Sequence, residues 1–167
     1  MLENLYKYCE SPIEIPDVKN KASAYEFLIK RFFELSFDKS NDYRLDLFPI
    51  IRINNGSYLT PDIELSAFIG GNKIIIITEI KYFENSSLNK KEARKEARQQ
   101  MDDYIIAYKE KFPKTIIMPL FITQNSYFDK YPEYPCLVIL PGELEKVDLK
   151  GKVREKIEEY SKYRSEH

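Results

Sequence analysis

The chain has 167 residues, 43% of them hydrophobic and 14% aromatic, which suits one compact domain with its own core. Its 26 Lys and Arg against 27 Asp and Glu give a net charge of −1, so any polyanion contact must come from local basic clusters. The only histidine is His167, and the two cysteines are Cys9 and Cys136. This composition argues against histidine-based catalysis, zinc sites and iron–sulfur clusters.

The N-terminal segment carries acidic residues from position 3 and has no continuous apolar stretch, unlike a secretory signal or a transit peptide. No apolar run approaches the roughly 18 residues that a membrane-spanning helix needs. We therefore expect a cytoplasmic protein without membrane contact, and we expect both thiols to be buried and reduced.

The first predicted element is a helix over Ala22–Phe37, where apolar residues recur at steps of three and four. Between Tyr43 and Tyr82 the pattern changes to β-branched and aromatic runs separated by the turn sequences NNGS and GGN. This region predicts three strands joined by two tight hairpins. Lys90–Phe112 predicts a long second helix, which Pro113 ends.

Two further apolar runs, TIIMPLFIT and CLVIL, predict strands on either side of a Tyr- and Pro-rich loop, and a helix over about 152–163 follows. The order αβββαββα predicts an α/β domain over residues 1–167, with a central mixed sheet flanked by helices. Pro119 inside the fourth predicted strand indicates a sheet edge or a bulge, since proline has no N–H to donate.

The second hairpin carries most of the chemical information. If Gly70-Gly71 is a two-residue turn, Asp62 stands directly across from Glu79, with Cβ atoms about 4.5–5.5 Å apart. Lys81 shares the face of Glu79, because side chains alternate along a strand. Opposed carboxylates favour a hard cation such as Mg²⁺ or Mn²⁺ between them, whereas the simpler interpretation is a solvated hairpin in which Lys81 pairs with either acid.

These residues resemble the PD-(D/E)XK nuclease superfamily, with Pro61-Asp62 as the PD element and Glu79-Ile80-Lys81 as the ExK element. The resemblance covers residues 22 to about 140 and implies a restriction endonuclease-like αβββαβ core. It also implies that Asp62, Glu79 and the Ile80 carbonyl bind Mg²⁺ or Mn²⁺, with Lys81 as the catalytic lysine. The implied function is a metal-dependent deoxyribonuclease acting on DNA.

Two more residues extend this comparison. Glu26, on the first predicted helix, is a candidate further metal ligand, although Ser23 and Glu26 also fit a capping box at a helix start. Gln100 and Tyr104 form a Gln-xxx-Tyr step after ExK that resembles the motif of RecB-like nucleases. A satisfied core glutamine is the other interpretation of Gln100, and Gln99 is a competing candidate.

The start of the second helix is locally basic, with Lys95 among five cations against two glutamates. We expect it to contact nucleic-acid phosphates, although a solvated face with Glu–Lys pairs fits the same charges. A junction resolvase acting as a homodimer, or a catalytically inactive nucleic-acid-binding module, are the alternatives for the whole chain. The candidate DNA-binding residues are Lys90, Lys91, Arg94, Arg98 and Tyr104.

Overall fold

The computed structural model describes residues 18–83, 90–125 and 130–167, without the side chains of residues 18–20 and 90. The described chain forms two compact units. One contains residues 39–79 and 90–120, and the other contains residues 18–38, 80–83, 121–125 and 130–167. Within these described ranges, no helix combines the length and apolar composition that crossing a bilayer requires.

A central five-stranded sheet flanked by helices is the main feature of the fold, with strand order β1-β4-β5-β6-β7. β4 pairs antiparallel with β1 and β5, whereas β6 and β7 are parallel, so the sheet is mixed as predicted. A small antiparallel hairpin of β2 and β3 accompanies it. The strands are β1 Tyr43–Asp46, β2 Ile51–Arg52, β3 Tyr58–Leu59, β4 Ile63–Ile69, β5 Asn72–Lys81, β6 Ile116–Thr123 and β7 Cys136–Val138.

Three α-helices and one short 3-10 helix complete the described elements: α1 Val18–Phe37, α2 Lys90–Lys111, the 3-10 helix Pro141–Lys146, and α3 Leu149–Glu166. The helical periodicity correctly predicted α1 and α2. α1 begins four residues before its predicted start, and α3 extends beyond 152–163 at both ends. Asp148 caps α3 by accepting a hydrogen bond from the Gly151 N–H, at 3.1 Å.

The hairpin between β4 and β5 has the predicted register. Gly70 and Gly71 both have positive φ, 58° and 79°, as a type I′ turn requires, and Ile69 pairs with Asn72 across it. The pairing continues without a slip to Ile63 opposite Thr78. The register that determines the positions of the candidate carboxylates is therefore confirmed.

The prediction of one long strand on each side of the first hairpin was wrong. Each predicted strand is divided, into β1 and β2 before the turn and into β3 and β4 after it. The pairing register is the same on both sides of the division, and it aligns Pro49 with Pro61. Because neither proline has an N–H to donate, the ladder is interrupted where they meet.

β6 as a whole is not the sheet edge that was one of the two predictions for Pro119, since it lies between β5 and β7; the other, a bulge, stays a prediction. Pairing of β6 with β7 begins only at Phe121, opposite Cys136, so the missing N–H of Pro119 interrupts no bond to β7. β7 itself ends at Val138, two residues before the end of the predicted strand. Cys136 is buried, as expected, while Cys9 lies outside the described residues.

Side-chain hydrogen bonds fix the chain near the ends of strands in the unit that contains α1. Gln124 accepts from the Phe83 N–H at 3.2 Å and donates to the Phe83 carbonyl at 2.7 Å. The Tyr25 hydroxyl donates to the Ile139 carbonyl at 2.8 Å. These contacts satisfy main-chain groups where regular strand pairing has ended.

Candidate functional site

Asp62 and Glu79 occupy facing positions at the open end of the β4–β5 ladder. Ile63 is paired with Thr78, so the next step of the same register brings Asp62 opposite Glu79. Glu79 is only 3% exposed, whereas Asp62 is half-buried at the bend that precedes β4. The bend follows from Pro61, which interrupts the neighbouring ladder and separates Asp62 from strand β3.

Asp62 and Glu79 both lie close enough to the buried Tyr104 hydroxyl to affect its pKa. Burial raises the pKa of Tyr104 above its usual range, and the negative charges of Glu79 and Asp62 raise the pKa further. The proximity of the Glu79 carboxylate to the phenol favours the protonated form of Tyr104. Both carboxylates therefore act electrostatically on one hydroxyl group, on the face of the sheet that α2 covers.

Gln100 and Tyr104 share one face of α2, as their four-residue spacing predicted. The Gln100 side-chain amide donates to the Tyr104 hydroxyl at 2.7 Å, and that hydroxyl lies 3.4 Å from the Thr60 carbonyl. The competing candidate, Gln99, is exposed and donates to Asp103 at 3.2 Å. Of the two glutamines, Gln100 is the one linked to the carboxylate pair, through Tyr104.

Ile80 and Lys81 complete β5 directly after Glu79. The half-buried Lys81 side chain lies on the same face of the strand as Glu79, while the buried Ile80 side chain lies on the other. This alternation is the one that an ExK element requires. Metal binding by the Ile80 carbonyl and catalysis by Lys81 stay predictions.

Glu26 lies on α1 and forms an ion pair with Lys30, with 2.8 Å between Glu26 Oε1 and Lys30 Nζ. The capping-box interpretation is wrong, because α1 begins at Val18 and Ser23 is inside the helix. The proposed role of Glu26 as a metal ligand stays a prediction.

The basic residues at the start of α2 fall into two sets. Arg94 and Arg98 are half-buried and one turn apart, whereas Lys91 is exposed. Lys90 begins the helix, but its side chain lies outside the described residues. Their contact with DNA stays a prediction.

A second acid–tyrosine contact was missed by the sequence analysis. The Tyr108 hydroxyl donates to Glu64 Oε2 at 2.6 Å, and Asp46 stands directly opposite Glu64 in the register. Burial, this hydrogen bond and the charges of Glu64 and Asp46 raise the pKa of Tyr108 above its usual range. The available signal was spacing, because Glu64 lies two residues after Asp62 and Tyr108 lies one helical turn after Tyr104.

The side chains of Asp62 and Glu79 offer only oxygen donors to a cation. Across the described ranges no group of three or more His, Cys, Asp and Glu side chains is arranged to hold a metal ion. Asp62 and Glu79 form a pair, and Mg²⁺ commonly binds one or two carboxylates and keeps water at its other positions. The pair therefore fits Mg²⁺ or Mn²⁺ better than a metal that needs nitrogen or sulfur ligands.

A cavity of about 390 Å³ lies beside this site, between the β2–β3 hairpin and α2. Ile53 and Leu59 line it from the hairpin, and Asp103, Ala107 and Glu110 line it from the helix. Asn54, next to Ile53, donates to Glu110 at 3.4 Å. The cavity shows which face of the hairpin is directed toward α2.

No protein-family model matches the chain, and no curated protein is significantly similar to it in sequence. Among solved structures, the chain is similar to an XisH family protein from Nostoc punctiforme, with 14% sequence identity and a TM-score of 0.40. The similarity covers 74% of this chain and 92% of the Nostoc chain.

Proposed function

We propose that this protein is a Mg²⁺- or Mn²⁺-dependent nuclease that hydrolyses phosphodiester bonds of DNA. The observation that supports the proposal most directly is the Asp62–Glu79 pair, held opposite each other by the β4–β5 register and acting together on the Tyr104 hydroxyl. Like charges directly opposite each other on a sheet are destabilising. A divalent cation between the carboxylates would offset that repulsion.

The residues that would hold the ion are Asp62, Glu79 and the backbone carbonyl of Ile80. A bound Mg²⁺ would polarise a phosphate oxygen and lower the pKa of a coordinated water molecule. Hydrolysis adds that water across one P–O ester bond and leaves a phosphomonoester and a hydroxyl group. The reaction would take place at the open end of the β4–β5 ladder, at the opposite end from the Gly70-Gly71 turn.

The chain's own residues have separate tasks in this reaction. Lys81, on the strand face of Glu79, would place an ammonium group where negative charge develops on the phosphate. Tyr104 places its hydroxyl within the electrostatic reach of Glu79 and Asp62, and Gln100 orients that hydroxyl by donating to it at 2.7 Å. The neutral phenol adds no charge to the two carboxylates, since a tyrosine is protonated at neutral pH.

Cleavage of linear DNA, with Mg²⁺, with Mn²⁺ and with a chelator, tests the proposal. Asp62→Asn and Glu79→Gln should each reduce the cleavage rate by at least about 100-fold, as the loss of one preorganised electrostatic group does in other enzymes. The matched control is Glu143→Gln, an exposed acid of the 3-10 helix, which should leave the rate unchanged.

Binding of Mn²⁺, followed by its electron paramagnetic resonance signal, gives a readout separate from activity and should weaken in both variants. Metal-dependent cleavage that persists in Glu79→Gln would contradict the assignment of the site. DNA binding by the parent protein without any cleavage would instead identify the inactive binding module.

A further inference from the structure

The β2–β3 hairpin has one face toward α2 and one face toward solvent. Ile53 and Leu59 line the cavity against α2, and Ile51 is buried. Arg52 and Tyr58 alternate with these residues and pair directly across the hairpin. Their side chains therefore lie on the opposite, exposed face.

We call this exposed surface, together with the exposed Phe48 and Ile50 that lead into β2, the outer hairpin face; its strand residues are Arg52 and Tyr58. Phe48 is 78% exposed, Ile50 is 64% exposed and Tyr58 is 59% exposed. The Arg52 guanidinium lies over the Tyr58 ring, 6.0 Å from its centroid. Three large hydrophobic residues exposed within eleven positions of one hairpin are a candidate interaction surface.

Charge and position favour nucleic acid as the ligand of the outer hairpin face. Residues 47–61 contain Arg52 and no Asp or Glu, in a chain that has 27 acidic residues. Exposed aromatic rings together with arginine are the groups on which unpaired bases stack. A base offers the apolar π-face that Phe48 and Tyr58 can contact, and its phosphate offers the negative charge for Arg52.

The hairpin leads directly into the candidate cleavage site. Tyr58 precedes Asp62 by four residues, which span at most about 13 Å of extended chain. Thr60 lies between them, and its carbonyl oxygen is 3.4 Å from the Tyr104 hydroxyl. This span is at most the length of about four nucleotides at the 3.4 Å per-strand axial spacing of duplex DNA.

We infer that the outer hairpin face stacks unpaired bases of single-stranded DNA whose backbone continues to the Asp62–Glu79 pair. The inference rests on the proposed nuclease function and specifies its substrate class, which is single-stranded DNA or a single-stranded extension of a duplex. The bases bind by their π-faces, so the contact selects single strands without selecting a sequence.

The test measures the fluorescence anisotropy of a labelled twelve-residue oligothymidylate in the Glu79→Gln background with chelator, so that no strand is cut. Phe48→Ala combined with Tyr58→Ala should weaken binding by about 5- to 150-fold, the loss expected for one stacked base. Tyr58→Phe should keep the affinity of the parent, because the ring is retained. Leu35→Ser, which changes a residue of α1 that is 60% exposed, is the matched control and should have no effect.

Two further probes separate stacking from charge. An oligonucleotide of the same length made of abasic units should bind weakly and should be insensitive to the double substitution. Arg52→Gln should reduce the slope of log affinity against log salt concentration by about 0.7, the value for one phosphate contact on a single strand. Equal binding of oligothymidylate by the parent and the double variant would overturn the inference.

Sedimentation of the parent and the double variant tests the other occupant, a second copy of the chain. A parent dimer that becomes monomeric on substitution would assign the outer hairpin face to self-association and would overturn the inference. Hairpin-dependent binding without metal-dependent cleavage would retain the stacking face and reject the nuclease. Cleavage with unchanged binding by the double variant would retain the nuclease and reject the stacking face.

Discussion

The two hairpins of the unit that contains α2 differ in their turns and in how strongly they are constrained: Gly70 and Gly71 both have positive φ, whereas only Gly56 does at the β2–β3 turn. The β4–β5 hairpin pairs seven residues on each strand without a slip, and buried isoleucines fill half of β5. The β2–β3 hairpin pairs two residues on each strand and carries exposed aromatic and aliphatic residues beyond a pair of facing prolines. A long ladder fixes the two carboxylates, whereas the short ladder presents a surface.

The largest expected effect comes from shortening a buried side chain of the long hairpin. Ile76→Ala should lower the free energy of unfolding by about 2–5 kcal/mol, because the fully buried side chain leaves a cavity. Ile50→Ala, in the region of the short hairpin, should change it by less than about 0.5 kcal/mol, because the side chain is exposed. Urea denaturation followed by circular dichroism measures the free energy of unfolding of both variants. Equal decreases in Ile76→Ala and Ile50→Ala would contradict the distinction between the hairpins.

A smaller effect should follow loss of the Tyr108 hydroxyl. Tyr108→Phe should lower the free energy of unfolding by about 1.5–3 kcal/mol, the usual contribution of a hydrogen bond to a charged group. Tyr58→Phe in the short hairpin should have almost no effect on unfolding, so it is the matched control.

The pH dependence of this difference follows from the raised pKa of Tyr108. Folding raises the pKa of Tyr108 above the value near 10.0 that it has in the unfolded chain. The protonated phenol therefore contributes to the free energy of unfolding below about pH 10, and this contribution decreases as the pH rises further. The stability difference between the parent and Tyr108→Phe should therefore decrease between pH 9 and pH 11. A difference that increases over this range would contradict the burial and acid contacts described for Tyr108.

The smallest effect expected from these comparisons concerns the turn glycines. Gly71→Ala should lower the free energy of unfolding by about 1–2 kcal/mol, because φ is 79° at this position and a residue with a side chain is strained in the left-handed region. Gly56 also has positive φ, 85°, but Gly56→Ala should cost less, since two paired residues on each strand allow the short hairpin to rearrange. Thermal unfolding of both variants measures the difference, and a larger loss for Gly56→Ala would reverse the comparison.

Local chemistry allowed much of this arrangement to be predicted from the sequence. Helical periodicity located α1 and α2, because each buries one apolar face. The Gly-Gly turn predicted the register of β4 and β5, and with it the opposition of Asp62 and Glu79, because a two-residue turn leaves only one register. The four-residue spacing of Gln100 and Tyr104 predicted that they share one face of α2, because residues four apart on a helix are neighbours.

The features that were missed depend on pairs of residues that are distant in sequence. The division of the first two predicted strands requires Pro49 to face Pro61, which only the register of both strands reveals. Pro119 is tolerated in an interior strand because β7 begins to pair only at Phe121. The contact of Tyr108 with Glu64 likewise depends on where α2 packs on the sheet. The spacing of these residues from Tyr104 and Asp62 was a signal for the contact, but it does not specify the position of α2.

The facing prolines have a consequence for how this region can change. Because no ladder hydrogen bond passes through Pro49 and Pro61, an insertion or deletion at the Asn54–Ser57 tip need not be transmitted as a register shift to β1 and β4. The tip can therefore vary in length as well as in side chains while the positions of the two acids stay unchanged.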